Sequence, residues 1–169
     1  WASSKTREIP EMEETHRELE KRMPEQVGAC IAHGDYRLGN LIVRDRRVAA
    51  VLDWELCTLG DGLADVGWLL NSWTSADEIL DGSSNPTAVG GFPSREELIE
   101  CYERSSGRDL ARINYYRAFS YWRHAAIVEG VYRRYVEGSM GSAEGVDITR
   151  FEQLPPRMAQ TALELVRDS

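Results

Sequence analysis

The sequence predicts an α+β protein that is mainly helical, and three observations carry this prediction. Apolar residues recur at helical spacing in several long segments. Two short apolar runs, at 41–43 and 48–52, flank a polar turn and are typical of one β-hairpin. The chain contains no internal repeats. We therefore expect helices arranged around a single small hairpin.

Length and composition place the chain among ordinary water-soluble proteins. It has 169 residues, enough for the one domain, 1–169, that we expect. Its net charge of −8 argues against a nucleic-acid partner, which would require a basic face. No apolar run reaches the roughly 20 residues that span a bilayer, and we expect neither a membrane span nor a signal peptide.

The three cysteines favour a cytoplasmic location. Cys30, Cys57 and Cys101 are far apart and show no CxxC spacing. A disulfide framework or a zinc site is therefore not expected, which fits a reducing compartment.

The first predicted element is a helix. Residues 11–22 are charged and rich in helix formers, with apolar positions at helical spacing, and Pro24 ends the segment.

The chain begins abruptly at Trp1, without a cap or turn signal. We interpret it as part of a longer protein.

The predicted hairpin matters most for function, because polar residues lie at both of its outer ends. Residues 45–47 form the turn, Asn40 precedes the first strand and Asp53 follows the second. The outer ends of an antiparallel hairpin lie side by side. We therefore expect the Asn40 and Asp53 side chains to be neighbours.

The sequence from residue 64 onward predicts helices and two long loops. Residues 64–73 predict a buried helix, and the aperiodic stretch 74–93 is a candidate substrate lid. Ser94 and Glu97 predict a capping box for a helix that ends at Gly107.

Two further helices follow. Asp109 is expected to cap the longest helix, 110–137, and Pro156 to start the last one, which ends near Arg167. The glycine-rich stretch 138–149 between them predicts a loop.

Asp35 and Arg37 precede the hairpin whose outer ends carry Asn40 and Asp53. These four residues are of the types that phosphoryl transfer from ATP requires. A carboxylate must orient the attacking hydroxyl, oxygen ligands must hold Mg²⁺, and a cation must offset charge on the transferred group. Asp35 suits the first role, Asn40 and Asp53 the second, and Arg37 the third.

The stretch HGDYRLGNLIV resembles the H-x-D-x-x-x-x-N catalytic loop shared by aminoglycoside phosphotransferases, choline kinases and protein kinases. The later stretch VLDWELCTLGDGLADVGWLL resembles the metal-binding segment of the phosphotransferase group. Protein kinases carry D-F-G there, whereas this chain has D-W-E. Both motifs are most similar to the phosphotransferase domains found with acyl-CoA dehydrogenases and to their bacterial relatives.

This resemblance implies roles for particular residues. Asp35 would be the catalytic base, with Asn40 and Asp53 as Mg²⁺ ligands. A last group would act around these three: Arg37 on the phosphate, His33 as a buried organiser of the loop, Glu55 on the metal through water, and Asp65 as a structural residue. The chain departs from the family at Gly62, where proline is usual.

The resemblance also implies a fold. Family members carry an N-terminal lobe with a five-stranded sheet and a lysine that holds the nucleotide phosphates. Only about thirty residues precede His33, and they look helical. We therefore expect the C-terminal lobe of a protein-kinase-like fold, with the hairpin carrying the metal site and the N-terminal ATP lobe absent. Such a chain alone would be a poor kinase.

The expected function is an ATP- and Mg²⁺-dependent phosphotransferase that acts on a hydroxyl of a small molecule. Its partners would be that acceptor and the nucleotide. One alternative is a non-catalytic binding or scaffold domain of kinase ancestry, which the expected absence of the ATP lobe favours. A metal-dependent hydrolase is a third possibility, but it would need further His or Asp ligands.

Overall fold

The computed structural model describes residues 1–26, 28–74, 86–140 and 146–169. Within these ranges the fold is mainly helical, as predicted, with small antiparallel sheets. The elements are α1 Pro10–Lys21, β1 Cys30–Ala32, β2 Leu41–Arg44, β3 Arg47–Val51, β4 Thr58–Gly60, α2 Leu63–Ser72, α3 Arg95–Ser106, α4 Ile113–Val136 and α5 Ile148–Arg167.

The predicted hairpin is present as β2 and β3. These strands pair antiparallel through a two-residue turn, Asp45 and Arg46, in which both residues have positive φ. This is the backbone twist that a tight hairpin favours. A bulge interrupts the register between Ile42 and Val43. The outer end of the ribbon is the Leu41–Val51 pair.

A second two-stranded sheet was not predicted. β1 pairs antiparallel with β4, and the partners run from Cys30 with Gly60 to Ala32 with Thr58. The hairpin lies between β1 and β4 in sequence, so these two strands pair at the start and at the end of the segment that contains it. Each strand is only three residues long, too short for apolar alternation to mark it in the sequence.

The chain divides into two compact units, residues 24–117 and residues 1–23 with 118–169. In the first unit, α2 lies against the first turn of α4. A Cβ atom added at Gly67 would come within 2.7–2.9 Å of the Tyr116 and Arg117 backbone. Asn71 reinforces this contact, because its amide donates to the Arg117 carbonyl over 2.8 Å.

Replacing Gly67 by alanine is expected to lower the free energy of unfolding by about 1–3 kcal/mol, because backbone must move to admit the methyl group. Gly130 is the matched control, since it is also helical but its added Cβ would meet only Ser4 at 3.4 Å. Gly130→Ala should therefore stabilise, by up to ~1 kcal/mol. Urea unfolding followed by tryptophan fluorescence measures both. Equal effects of the two changes would contradict this packing.

In the second unit, α1 packs along α5. The apolar core consists of buried residues from these two helices, from α4 and from the position just before α1: Ile9, Met12, Ala125, Val128, Leu154, Met158 and Ala159. Met12 is completely buried, and the indole of Trp122 donates to its carbonyl over 3.0 Å. This packing explains why a highly charged segment forms a stable helix.

The prediction that Pro156 starts the last helix was wrong. α5 begins at Ile148, and Pro155 and Pro156 lie inside it. Proline has no N–H, so Pro156 leaves the Glu152 carbonyl without its helical donor. A guanidinium nitrogen of Arg7 donates to that carbonyl and also contacts the buried carboxylate of Glu129. A side chain distant in sequence thus replaces the lost donor.

The other predicted elements are present with small changes of boundary. The Ser94–Glu97 capping box is confirmed, and Gly107 ends α3 in the left-handed conformation. The prediction that Asp109 caps the longest helix was wrong, because α4 begins at Ile113 and the Asp109 carboxylate accepts from the Ala111 N–H, at 2.8 Å, in the turn before it. Most of the predicted lid, 75–85, and residues 141–145 of the predicted glycine-rich loop lie outside the described residues. In the described part of the chain, no helix is long and apolar enough to cross a membrane.

Candidate active site

The loop that carries the catalytic motif joins β1 to β2 and is held by a carboxylate from α2. The Asp65 oxygens accept from the backbone N–H groups of His33 at 2.6 Å and Gly34 at 2.8 Å. Gly34 has positive φ, and a Cβ there would lie 2.7 Å from the Leu56 carbonyl oxygen. Position 34 therefore requires glycine.

Asp65→Asn tests this anchor. An asparagine offers one oxygen where the loop uses two, so one buried N–H would face another donor. We expect amides 33 and 34 to exchange faster in hydrogen-exchange mass spectrometry, by up to ~100-fold for a loss of about 1–3 kcal/mol. Asp109→Asn is the control. Asp109 accepts one hydrogen bond from the backbone N–H of Ala111, and the single amide oxygen of asparagine can accept the same bond. Unchanged exchange in Asp65→Asn would contradict the assignment.

His33 connects the loop to the end of the hairpin. It is only 2% exposed, and its Nε2 lies 2.7 Å from the Leu52 carbonyl oxygen. Its Nδ1 accepts from the Asp35 N–H at 3.1 Å. These partners assign the tautomer that carries hydrogen on Nε2. The indole of Trp54 lies against the ring, with centroids 4.7 Å apart.

Three side chains hold the Asp35 carboxylate. Trp68 Nε1 donates to Oδ1 and Asn40 Nδ2 donates to Oδ2, each over 2.8 Å. Arg37 Nε lies 3.3 and 3.2 Å from the two oxygens. The Asp35 side chain is 17% exposed, so its carboxylate is fixed yet accessible.

Asn40 and Asp53 lie at the outer end of the hairpin. The Leu52 N–H donates to the Asn40 carbonyl over 2.8 Å, which extends the ribbon one step beyond the Leu41–Val51 pair. Asp53 therefore follows directly on the residue opposite Asn40. The Asn40 side chain uses its nitrogen on Asp35, so its amide oxygen is left for another partner.

Asp53 has φ of 68°, in the left-handed region. Aspartate and asparagine tolerate this conformation better than most residues do. The strand ends here, and the chain turns into the short 3₁₀ helix Trp54–Leu56, where Glu55 is exposed. The sequence motif located Asp53 but gave no sign of this backbone conformation.

The segment after β4 is anchored by Asp61. Its carboxylate accepts from the Leu63 N–H, from Arg108 and from the Tyr116 hydroxyl, the last over 2.8 Å. Burial, followed by this hydrogen bond, raises the pKa of Tyr116 above its ordinary value. The hydroxyl is therefore a donor at neutral pH. Gly62, the position where the family usually has proline, lies in this anchored turn.

Sequence reasoning missed the role of Trp68, which lies in the segment 64–73 that was predicted only as a buried helix. Asp65 and Trp68 are three residues apart, so they lie on the same face of α2. Both contact the 33–35 loop. In the sequence, the contact between Trp68 and Asp35 is indicated only by the three-residue spacing of Trp68 from Asp65, which the motif already places near the loop.

A cavity of about 460 Å³ lies beside the C-terminal end of α2. Its lining includes Trp73, Thr74, Thr87, Phe92 and Arg95. The rings of Trp73 and Phe92 meet edge to face, and Arg95 donates to the Trp73 carbonyl over 2.7 Å. The Thr87 hydroxyl accepts a hydrogen bond from the Thr74 N–H at 3.0 Å and donates one to the Thr74 carbonyl over 2.8 Å.

No three His, Cys, Asp or Glu side chains gather as a metal-binding group in the residues that the structure describes.

Three comparisons identify relatives of this chain. The sequence pattern of the phosphotransferase enzyme family matches residues 1–113. Acyl-CoA dehydrogenase family member 11 of Pongo abelii is 36% identical over 165 residues, which cover 94% of this chain and 21% of that protein. Acyl-CoA dehydrogenase family member 10 of Mus musculus is 38% identical over 149 residues, which cover 85% of this chain and 14% of that protein.

A solved structure of a Ralstonia eutropha protein, assigned as an aminoglycoside phosphotransferase, has the same fold. It superposes with a TM-score of 0.78 at 31% identity, over 99% of this chain and 52% of that one. This chain therefore spans about half of the solved relative and about a fifth of the curated one from Pongo abelii. The family pattern, the sequence identities and the shared fold agree, and the chain belongs to the phosphotransferase enzyme family.

Proposed function

We propose that the protein containing this chain transfers the γ-phosphoryl group of ATP, with Mg²⁺, to a hydroxyl of a small molecule. The observation that carries the proposal is the Asp35 carboxylate, which is held on both oxygens by donors at 2.8 Å and is still partly exposed. A fixed, accessible carboxylate is what such a reaction requires to orient the attacking hydroxyl. Family membership supports the reaction class.

In this proposal Asp35 accepts the proton of the acceptor hydroxyl while the hydroxyl oxygen bonds to the γ-phosphorus. The bond from the γ-phosphorus to the β–γ bridging oxygen breaks, and ADP leaves. Arg37 is 48% exposed and meets Asp35 through Nε. Its two terminal nitrogens are further donors, and a guanidinium suits phosphate oxygens. The terminal nitrogens of Arg37 would therefore contact the transferred phosphoryl group while its Nε stays in contact with Asp35.

The residues at the hairpin end fit a magnesium ion. The amide oxygen of Asn40 and the carboxylate of Asp53 are hard oxygen donors, which Mg²⁺ prefers. Mg²⁺ is usually held by one or two protein carboxylates together with phosphate and water oxygens, so a small protein donor set suits it. When bound, the ion would neutralise charge on the phosphates. Glu55, exposed on the next turn, would reach it through water.

ATP needs donors for its α- and β-phosphates in addition to the groups proposed above for the γ-phosphate and Mg²⁺. The chain spans about half of its solved relative. We therefore place the groups that hold the α- and β-phosphates in the remainder of the protein.

For the acceptor we propose the cavity beside α2. Its aromatic rings favour an apolar or acyl-type molecule over a polycation, and Arg95 adds a positive charge at its edge. The relatives named acyl-CoA dehydrogenase family members 10 and 11 support including hydroxyacyl thioesters among the candidates.

The full-length gene product tests the proposal in two steps. A thermal-shift measurement with ATP, with and without Mg²⁺, should show Mg²⁺-dependent stabilisation. Transfer from [γ-³²P]ATP is then measured to alcohols, sugars, aminoglycosides and hydroxyacyl thioesters. Absence of Mg²⁺-dependent nucleotide binding would reject the kinase assignment, and binding without transfer to any acceptor would favour the scaffold alternative.

A further inference from the structure

We propose that Trp68 is a positioning residue for phosphoryl transfer: its indole N–H fixes the rotation of the Asp35 carboxylate. The inference rests on the proposed function and extends it to a residue outside the catalytic motif. Its basis is the 2.8 Å bond from Trp68 Nε1 to Asp35 Oδ1 and the location of Trp68 on the helix that anchors the loop.

The three donors around Asp35 are not equivalent. Asn40 holds one oxygen at 2.8 Å, while Arg37 Nε lies between both oxygens at longer distances. A donor shared by both oxygens does not fix rotation about the bond to the carboxyl carbon. Trp68 holds the second oxygen, so Asn40 and Trp68 together define the carboxylate plane.

α2 is a rigid platform for this bond. Gly67 allows the helix to meet backbone of α4 closely, and Asn71 both donates to the Arg117 carbonyl and accepts from the Arg117 guanidinium. From the same helix, Asp65 holds the backbone of the loop and Trp68 holds the side chain of its carboxylate. The helix therefore fixes both the position and the orientation of the base.

The chemistry explains why an indole suits this role. The indole nitrogen is a donor that carries no acceptor and no charge. It can hold the carboxylate without adding a cation that would compete for the phosphate.

Trp68→Phe in the full-length protein tests the inference, because phenylalanine keeps an aromatic ring and loses the donor. We expect kcat to fall about 10- to 100-fold, since misorientation of a reacting group costs rates of this order. The KM values for ATP and for the acceptor should hardly change. Trp122→Phe is the matched control: its indole also donates one bond, to the Met12 carbonyl over 3.0 Å. It should leave kcat unaffected.

A double-mutant cycle separates positioning from general packing. In an Asp35→Asn background the base is already lost, so adding Trp68→Phe should lower the residual rate no further. An equal additional loss would show a merely structural role and overturn the inference. Wild-type kcat in Trp68→Phe would overturn it as well.

If Trp68→Phe folds poorly, a second variant tests the same inference. Benzothienylalanine at position 68 replaces the indole N–H by sulfur at nearly constant shape, and it should show the same loss of kcat. Normal turnover with it contradicts the inference. In every case the wild-type protein is measured alongside. If it transfers no phosphoryl group, the proposed function has failed; if it does and position 68 is neutral, only this inference has failed.

Discussion

Replacing Asp35 by asparagine is expected to lower kcat by about 10²- to 10⁴-fold and to leave Mg²⁺-ATP binding nearly unchanged. The range is that of a positioned general base. The amide keeps the size of the carboxylate, and Asp65 still holds the backbone N–H groups of residues 33 and 34, so the loop backbone should keep its position. It cannot take the hydroxyl proton.

Steady-state kinetics of the full-length protein with its best acceptor give kcat, and calorimetry gives the nucleotide affinity. The two together separate a catalytic loss from a binding loss. Near-normal turnover in Asp35→Asn would exclude Asp35 as the base. Loss of nucleotide affinity equal to the loss of kcat would instead assign the residue to ground-state binding.

Replacing Asp53 by asparagine is expected to raise the Mg²⁺ concentration for half-maximal activity and to lower kcat/KM for ATP by more than about 10²-fold. Removing one preorganised charge interaction from a phosphoryl-transfer site has effects of this size. Asparagine tolerates the φ of 68° at this position, so the backbone should be preserved.

Asp45→Asn is the control for Asp53→Asn. Asp45 also has positive φ, 52°, but lies at the opposite end of the hairpin with a side chain 91% exposed. It should retain wild-type activity and Mg²⁺ dependence. If the two variants behave alike, Asp53 has no special role with the metal.

Local signals made part of the fold predictable. The hairpin has a polar turn between two apolar runs, and α3 has a cap at each end, so sequence alone located both. The β1–β4 sheet pairs Cys30 with Gly60 across the whole catalytic segment. Strands of three residues that pair over such a separation leave no periodic pattern.

The last helix shows the limit of a local rule. Proline usually opens or ends a helix, and that rule placed the start at Pro156. The helix continues through two prolines because Leu154 and Pro155 are buried in the unit that contains them and because Arg7 supplies a donor to the Glu152 carbonyl. Both reasons are tertiary contacts and are invisible in a window of sequence.

The candidate site divides in the same way. The motif located Asp35, Asn40 and Asp53 because residue type and spacing are sufficient for that purpose. It did not reveal that the Asn40 side-chain nitrogen donates to one oxygen of Asp35, or that the Trp68 indole donates to the other. Tryptophan in an apolar helix predicts core, and only the fold brings its N–H to a carboxylate. The catalytic and metal-binding roles themselves stay predictions.

We propose that the hairpin brings the Asn40 amide oxygen and the Asp53 carboxylate to one divalent ion, beside Asp35. A crystal structure of the full-length protein with Mn²⁺ and a non-hydrolysable ATP analogue tests it most directly, through the anomalous signal of manganese. We expect an anomalous peak about 2.0–2.3 Å from both oxygens, with the γ-phosphate facing Asp35. A peak bound by other residues, with Asn40 and Asp53 directed elsewhere, would contradict it.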